Sequence, residues 1–265
     1  MAAGAARRLP PGGLFARGSV SWRVDREAVV LAGGTCALLM QNAHPAVAAA
    51  VDAHSDFRTD PFARLRRTLG ASWAIVFGDL PTAERAIGRI NAIHAVVGGV
   101  VPETGSSYRA LDPDLLLWVH ATLVDTALRM HDRFVAPLKP AEQDAYHREA
   151  ASVAIRLGVH EDVIPSTAAD LRTWMAGRID SGDVRVSPTA RALLPWILYP
   201  TRFPPRWIWD VAHLASFSVL HPAVRRQYGL GWSASRERGV ERLAAASRWV
   251  VPRLPSVIRH VPAGR

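Results

Sequence analysis

The alternation of apolar and polar positions along the chain predicts helices almost throughout. From Trp22 to Gln41 the pattern begins polar and becomes wholly apolar, which predicts a first helix; Gly33 and Gly34 within it permit close approach by a neighbouring element or a flat ligand. Pro45 opens a helix of small residues in QNAHPAVAAAVDAHSDF and leaves His44 at the junction. Two more helices follow in DPFARLRRTLGASWAIVFG and PTAERAIGRINAIHAVVGG. Asp60 is an N-cap with Pro61 at the first helical position, Pro81 and Thr82 open the second of the pair, and Gly98 and Gly99 mark its end. A Gly/Ser loop from Pro102 to Tyr108 leads to a long helix over Asp112–Val135. The next runs from Pro140 to a glycine cap at Gly158, and another begins at Ser166 or Thr167, where Thr167 and Asp170 have the spacing of a capping box.

From Ser187 the composition shifts to Trp, Pro and Arg, and the four prolines between Pro195 and Pro205 forbid one long helix, so short helices or turns are expected. SASRERGVERLAAASRWVV beyond Ser233 reads as a closing amphipathic helix, and the tail from Pro252 to Arg265 as irregular. There is no helix–strand alternation, phosphate-binding Gly-rich loop, repeat, Glu-x-x-His pair or G-x-S-x-G elbow. The expected class is all-α, with a lead-in over 1–18 that reads as flexible, one helical domain over 19–251 and a tail over 252–265.

Composition narrows this further. At 265 residues, 49% hydrophobic and 21% charged, the chain can bury a large core. Cys36 is the single cysteine, which excludes an intrachain disulfide framework and Cys-rich metal sites and suits a reducing compartment. The N-terminal arginines precede no apolar run of the secretory kind, and the apolar stretch Ala28–Met40 is short and interrupted by glycine. The expectation is a cytoplasmic protein. A net charge of +9 raises the question of nucleic acid or an anionic membrane, but the cations are scattered over most helices, so a solvated surface is the expectation and no nucleic-acid partner is expected.

Candidate chemistry concentrates between Asp60 and Gly98. At about 100° per residue, Arg64, Arg67 and Thr68 share one arc of their helix while Arg66 points elsewhere. His94 shares a stripe with Ile87, Ile90, Asn91 and Val97, away from Arg85 and Arg89, and so faces inward. An inward imidazole beside two cations and a hydroxyl is an arrangement haem can use, although a lone inward His is more often a hydrogen-bonded core residue. His120, at helical spacing from Leu116, Leu117, Leu123 and Val124, is a second inward imidazole and the rival ligand. His44 and His54 fit helix-end hydrogen bonding, Asp125 reads as a polar helix residue, and His131, His147 and His160 are assigned no chemistry.

Three ordered segments carry a resemblance: SVSWRVDREAVVLAGGTCALLMQNAHPAVAAAVDAHSDFRTDPFARLRRTLGASWAIVFG, RINAIHAVVGG and YRALDPDLLLWVHATLVDTAL. Together they resemble the rubber oxygenase (latex-clearing protein) catalytic-domain family, which also contains a fungal endoplasmic-reticulum oxygenase of mycophenolic acid biosynthesis. The likeness spans Ser19 to Gly182 and weakens toward Tyr228. It implies a globin-like helical bundle with extra helices holding haem b, and oxidative cleavage of carbon–carbon double bonds of an apolar alkene or terpenoid with dioxygen. Arg64, Arg67 and Thr68 match the family's distal Arg, Lys and Thr, with Arg67 in place of Lys. A guanidinium is a poor iron ligand, so Arg67 departs from any Lys-ligated state. His94 matches the proximal ligand and is preferred to His120 because its distance after the Arg64–Thr68 cluster agrees with the rubber enzymes. The family's catalytic Glu finds no matched position, Glu27 being a guess. A haem- or lipid-binding protein without catalysis, and a basic nucleic-acid binder, are the alternatives. Trp196, Ile197, Leu198, Tyr199, Phe203, Trp207, Ile208 and Trp209, with Arg202 and Arg206, suit either a core filler or a weak peripheral membrane contact.

Overall fold

The computed structural model describes residues 12–55, 60–200 and 205–264. Arg202 and Phe203 of the aromatic segment, and Met1–Pro11 of the lead-in, lie outside the described residues. The fold is all-α. In order the helices are α1 Val20–Asp25, α2 Gly34–Ala43, α3 Pro45–His54, α4 Pro61–Phe77, α5 Leu80–Val96, α6 Pro113–Phe134, α7 Pro140–Leu157 and α8 Ala168–Asp180. Then come α9 Pro188–Leu198, α10 Arg206–Val219, α11 Pro222–Gln227, α12 Ala234–Val250 and α13 Ser256–Arg259. At α3, α4, α6, α7 and α8 the boundaries have the causes read from the sequence, and side-chain caps unread there close the starts of α5, α9 and α12. Asp60, Asp79, Asp112, Thr167, Ser187 and Ser233 each accept a hydrogen bond from the first-turn backbone, and Gly158 ends α7 with φ +111°.

Helix α6 is the axis of the molecule. Leu117, Trp118, Ala121, Val124, Leu128, Met130 and Phe134 are buried along it, and α2, α7, α8, α10 and α12 pack around it. The Trp118 indole donates to the Met40 carbonyl at 3.1 Å, so even its polar edge is satisfied. Gly33 permits close packing on this axis: a Cβ there would stand 2.6 Å from the Met130 side chain and 2.8 Å from that of Thr126. The neighbour served by this glycine is therefore a helix.

The single helix expected over Trp22–Gln41 is broken. It consists of α1, a 3-10 turn over Ala28–Gly33, and α2. The break is at Glu27, which is buried and accepts two hydrogen bonds from Arg259 Nε at 2.9 and 3.1 Å and one from Arg259 Nη2 at 2.7 Å. Backbone pairing of Glu27 with His260 fixes the same junction. A carboxylate so deep in the protein needs that cation, and the backbone turns to deliver it. The C-terminal tail, expected to be irregular, is thus a latch ending in short helical turns, and Val261 N–H donates to the Arg26 carbonyl at 2.8 Å.

The second departure follows α5. Gly98–Val100 (β1) pairs antiparallel with Ser107–Arg109 (β2), where loop alone was expected. A Cβ on Gly99 would meet the Tyr108 hydroxyl at 2.9 Å, so a glycine admits the Tyr108 ring. Within the expected lead-in, Leu14 and Phe15 are buried against Ile75, Ala83, Ala86 and Ile87. Among the described residues, no helix is long and apolar enough to cross a membrane.

Candidate functional site

Helices α4 and α5 form an antiparallel hairpin joined by Gly78 and Asp79. Its turn end is pinned. The Leu80 N–H donates to the Gly12 carbonyl at 3.1 Å, Leu14 and Phe15 pack on the pair, and the terminal turn Pro262–Gly264 sits against Phe77. Arg64 lies thirteen residues before Phe77 and His94 fourteen after Leu80, so the hairpin brings them to the same height at its far end.

The helical stripe behaves as the sequence indicates. Ala83, Ala86 and Ile87 are buried, Ile90, Asn91 and His94 half-buried, and Arg85 and Arg89 exposed. Asn91 Nδ2 donates to the Arg156 carbonyl at 3.0 Å and ties α5 to α7. His94 occupies the last turn with its Nδ1 buried and without a hydrogen-bond partner. Burial pushes this imidazole below its usual range, so the ring is neutral at physiological pH. Beside it, Ile93 and Val96 face solvent, Val96 at 81% exposure.

On α4, Arg64 is half-buried, whereas Arg66, Arg67 and Thr68 are exposed. Burial, and then the neighbouring Arg67, lower the Arg64 pKa from its ordinary value. The two guanidiniums stand one turn apart on α4. The arc drawn from the sequence therefore splits: Arg64 is turned partly inward, and Arg67 and Thr68 lie on its solvent side.

His120 stands apart from the hairpin, buried in the middle of α6, with Nε2 unpartnered. Burial, then His147, push it down to about 4. Leu116, Leu117 and Val124 are buried with it, but Leu123 is half exposed, so the stripe is narrower than the spacing suggests. His147, assigned no chemistry from the sequence, is buried on α7 with Nε2 2.6 Å from the Pro165 carbonyl and Nδ1 unpartnered. Its spacing on an amphipathic helix gave no sign of a polar partner eighteen residues away.

The other candidates have structural roles. His44 Nδ1 accepts from the Ala46 N–H at 3.2 Å, and His54 Nε2 lies 3.0 Å from the Gly98 carbonyl, both at helix ends. Asp125 accepts from Arg129 at 2.6 Å and Arg172 at 2.9 Å. Glu27, tied to Arg259, is held in the C-terminal latch. Trp209 packs near His213, with ring centroids 6.3 Å apart, while Trp207 projects into solvent.

Residues 22–249 match the family described as ER-bound oxygenase mpaB/B'/Rubber oxygenase, catalytic domain. The chain belongs to this family. Its oxygenase catalytic domain covers the hairpin, α6 and the helices packed around them. Similar proteins include the uncharacterized protein Mb2261 of Mycobacterium bovis and the uncharacterized protein Rv2237 of Mycobacterium tuberculosis. Each is 27% identical over 197 residues, 71% of this chain and 74% of the relative. No solved structure matches the chain significantly.

Proposed function

We propose that this oxygenase-family protein binds haem b through His94 and uses dioxygen to cleave a carbon–carbon double bond of an apolar alkene or terpenoid-type substrate. The observation that carries the reading is the His94 imidazole: neutral, on an inward stripe, with a buried nitrogen that no protein group satisfies. The other ring nitrogen, Nε2, makes no hydrogen bond and is not sealed off by the protein, so it is the atom an iron would take. Among the described residues no three His, Cys, Asp or Glu side chains converge. A porphyrin iron asks for one such side chain, so the donor set fits haem.

Bound haem would supply the activation of dioxygen, and the remaining work falls to the chain. Arg64, partly withdrawn from water, would orient a polar or anionic oxygen with N–H donors that are never lost at physiological pH. Arg67, nearer solvent, suits pairing with a propionate carboxylate. The Thr68 hydroxyl would donate at the same mouth. Exposed Ile93 and Val96 next to His94 give an apolar substrate a surface to approach. We further propose a cytoplasmic setting with peripheral access to membrane, where apolar substrates collect.

The exposure of Arg67 and Thr68 favours one second reading, a haem-binding protein without turnover. Stopped-flow reaction of the haem-loaded protein with dioxygen, with and without candidate alkenes, separates the two. Haem binding itself is tested by the visible spectrum of haem-supplemented protein. His94→Ala is expected to lose the Soret band while remaining folded, and His120→Ala to keep it. The reverse result transfers the ligand to His120, and an unchanged spectrum in both removes histidine ligation.

A further inference from the structure

Large apolar side chains stand in solvent on three elements of the C-terminal third. Helix α10 exposes Trp207 at 66% and Val211 at 51%; the end of α12 exposes Trp249 at 64%; and α13 exposes Val257 at 58% and Ile258 at 62%. These elements adjoin. Both α10 and α13 pack on the 3-10 turn Ala28–Gly33, whose Leu31 is also exposed, and α12 packs along α10. The last two run antiparallel: Leu214 lies beside Gly239, and Arg133 joins the Ser218 carbonyl to Glu237. The first turn of α10, with Trp207, therefore runs toward the end of α12, where Trp249 stands.

Cations are interleaved with these rings. Arg253 stacks 4.7 Å from the Trp249 ring centroid and Arg206 3.9 Å from that of Tyr199. From Arg242 to Arg265 the sequence has five arginines and no Asp or Glu, and within it Arg259 is committed to Glu27. On α10, α12 and α13 the exposed acids are Asp210, which accepts from the Tyr199 hydroxyl, and Glu241. A second copy of the chain is a poor occupant. Two-fold pairing would set one arginine-bearing face against an identical one, with like charges brought together. An anionic surface with an apolar interior complements both halves of the pattern.

We propose that α10, the end of α12 and α13 form a monotopic docking surface for an anionic lipid bilayer. Trp207, Trp249, Val257 and Ile258 enter the boundary between headgroups and acyl chains, and Arg206, Arg248 and Arg253 meet headgroup phosphates. The surface is built from residues outside the α4–α5 hairpin, so docking is independent of haem and is read without activity.

The test is co-sedimentation of the full chain with phosphatidylcholine vesicles, with or without 30 mol% phosphatidylserine, at low and physiological salt. Expected are binding to the anionic vesicles, weakening with salt, and little binding to phosphatidylcholine alone. The exposed pair W249S/I258S, with unchanged circular dichroism and melting temperature, is expected to lower the partition coefficient at least ten-fold. R248Q/R253Q is expected to lower it by about five-fold per arginine on the anionic vesicles only. Absence of wild-type binding at low salt overturns the proposal, as does equal binding to both vesicle types or binding indifferent to both variants. So does a sedimenting dimer that W249S/I258S dissociates in a protein that ignores vesicles, which would assign the face to a second copy.

Discussion

Helix α6 and the α4–α5 hairpin are both amphipathic, but they are packed very differently. Fourteen of the 22 residues of α6 are buried, whereas α5 buries three of 17 and Ile75 is the buried residue of α4 among those described. Polar groups on α6 are mostly satisfied within the bundle: Thr122 donates to the Val119 carbonyl at 2.7 Å, and His131 Nδ1 meets the Ala136 carbonyl at 2.9 Å. The far end of the hairpin instead holds a half-buried Arg64, an unpartnered nitrogen on His94 and apolar residues open to solvent. Burial therefore concentrates in α6, and the candidate chemistry sits on a less buried element. Regions that admit ligands are drawn from the low-stability end of a structure.

The comparison makes its largest demand on core truncation. Trp118→Ala removes a fully buried ring and its bond to Met40, and is expected to cost about 3–5 kcal/mol of global stability in urea unfolding. Ile75→Ala, in the satellite cluster under the hairpin, is expected to cost about 2 kcal/mol, with hydrogen exchange accelerating in α4 and α5 before α6. Equal costs, or exchange rising evenly across all three helices, would break the contrast.

A smaller effect lies at the seam, where α1 touches α4, α6 and α7. Asp25 accepts from the Tyr146 hydroxyl at 2.8 Å, and burial, opposed by that bond and assisted by Glu149, raises its pKa to about 7. A raised carboxyl pKa means the folded state holds the proton more tightly than the unfolded chain. That contribution is complete below about pH 4 and is lost as pH rises through about 7. Asp25 keeps part of its surface in solvent, so the loss is expected to be on the order of 1–2 kcal/mol. Asp25→Asn keeps an acceptor for Tyr146 and should flatten the profile over that window, measured as the urea midpoint against pH. A wild-type midpoint that is level from pH 4 to 8 would mean the carboxyl is solvated.

What was legible in the sequence was local. Proline and side-chain caps announced the starts of α3 to α8 within a residue or two, and the stripe Ile87, Ile90, Asn91, His94 gave the inward face of α5. What was hidden required distant partners. No periodicity discloses that Glu27 meets Arg259 across 232 residues, so neither the break before α2 nor the order of the tail could be read. The same holds at the site. A helical wheel places Arg64, Arg67 and Thr68 on one arc, but only the packing of α4 decides that Arg64 turns inward while the other two remain in water.

The smallest expected effect sharpens the comparison most. His131 and His94 each lie in the last turn of a helix, one in the packed axis and one in the hairpin. His131 is buried and bonded to the Ala136 carbonyl, so His131→Ala breaks a native bond and is expected to cost about 1–2 kcal/mol. His94→Ala removes a ring whose buried Nδ1 makes no bond and installs a better helix former. In the absence of haem its stability should lie within about 0.5 kcal/mol of wild type, on either side of zero. Thermal and urea unfolding of the two apo variants side by side provide the measurement. A stability change near zero would show that the fold does not need the imidazole, which leaves the ring available to a ligand. If His94→Ala instead costs more than His131→Ala, the imidazole belongs to the packing of α5 and its open nitrogen is no argument for a ligand.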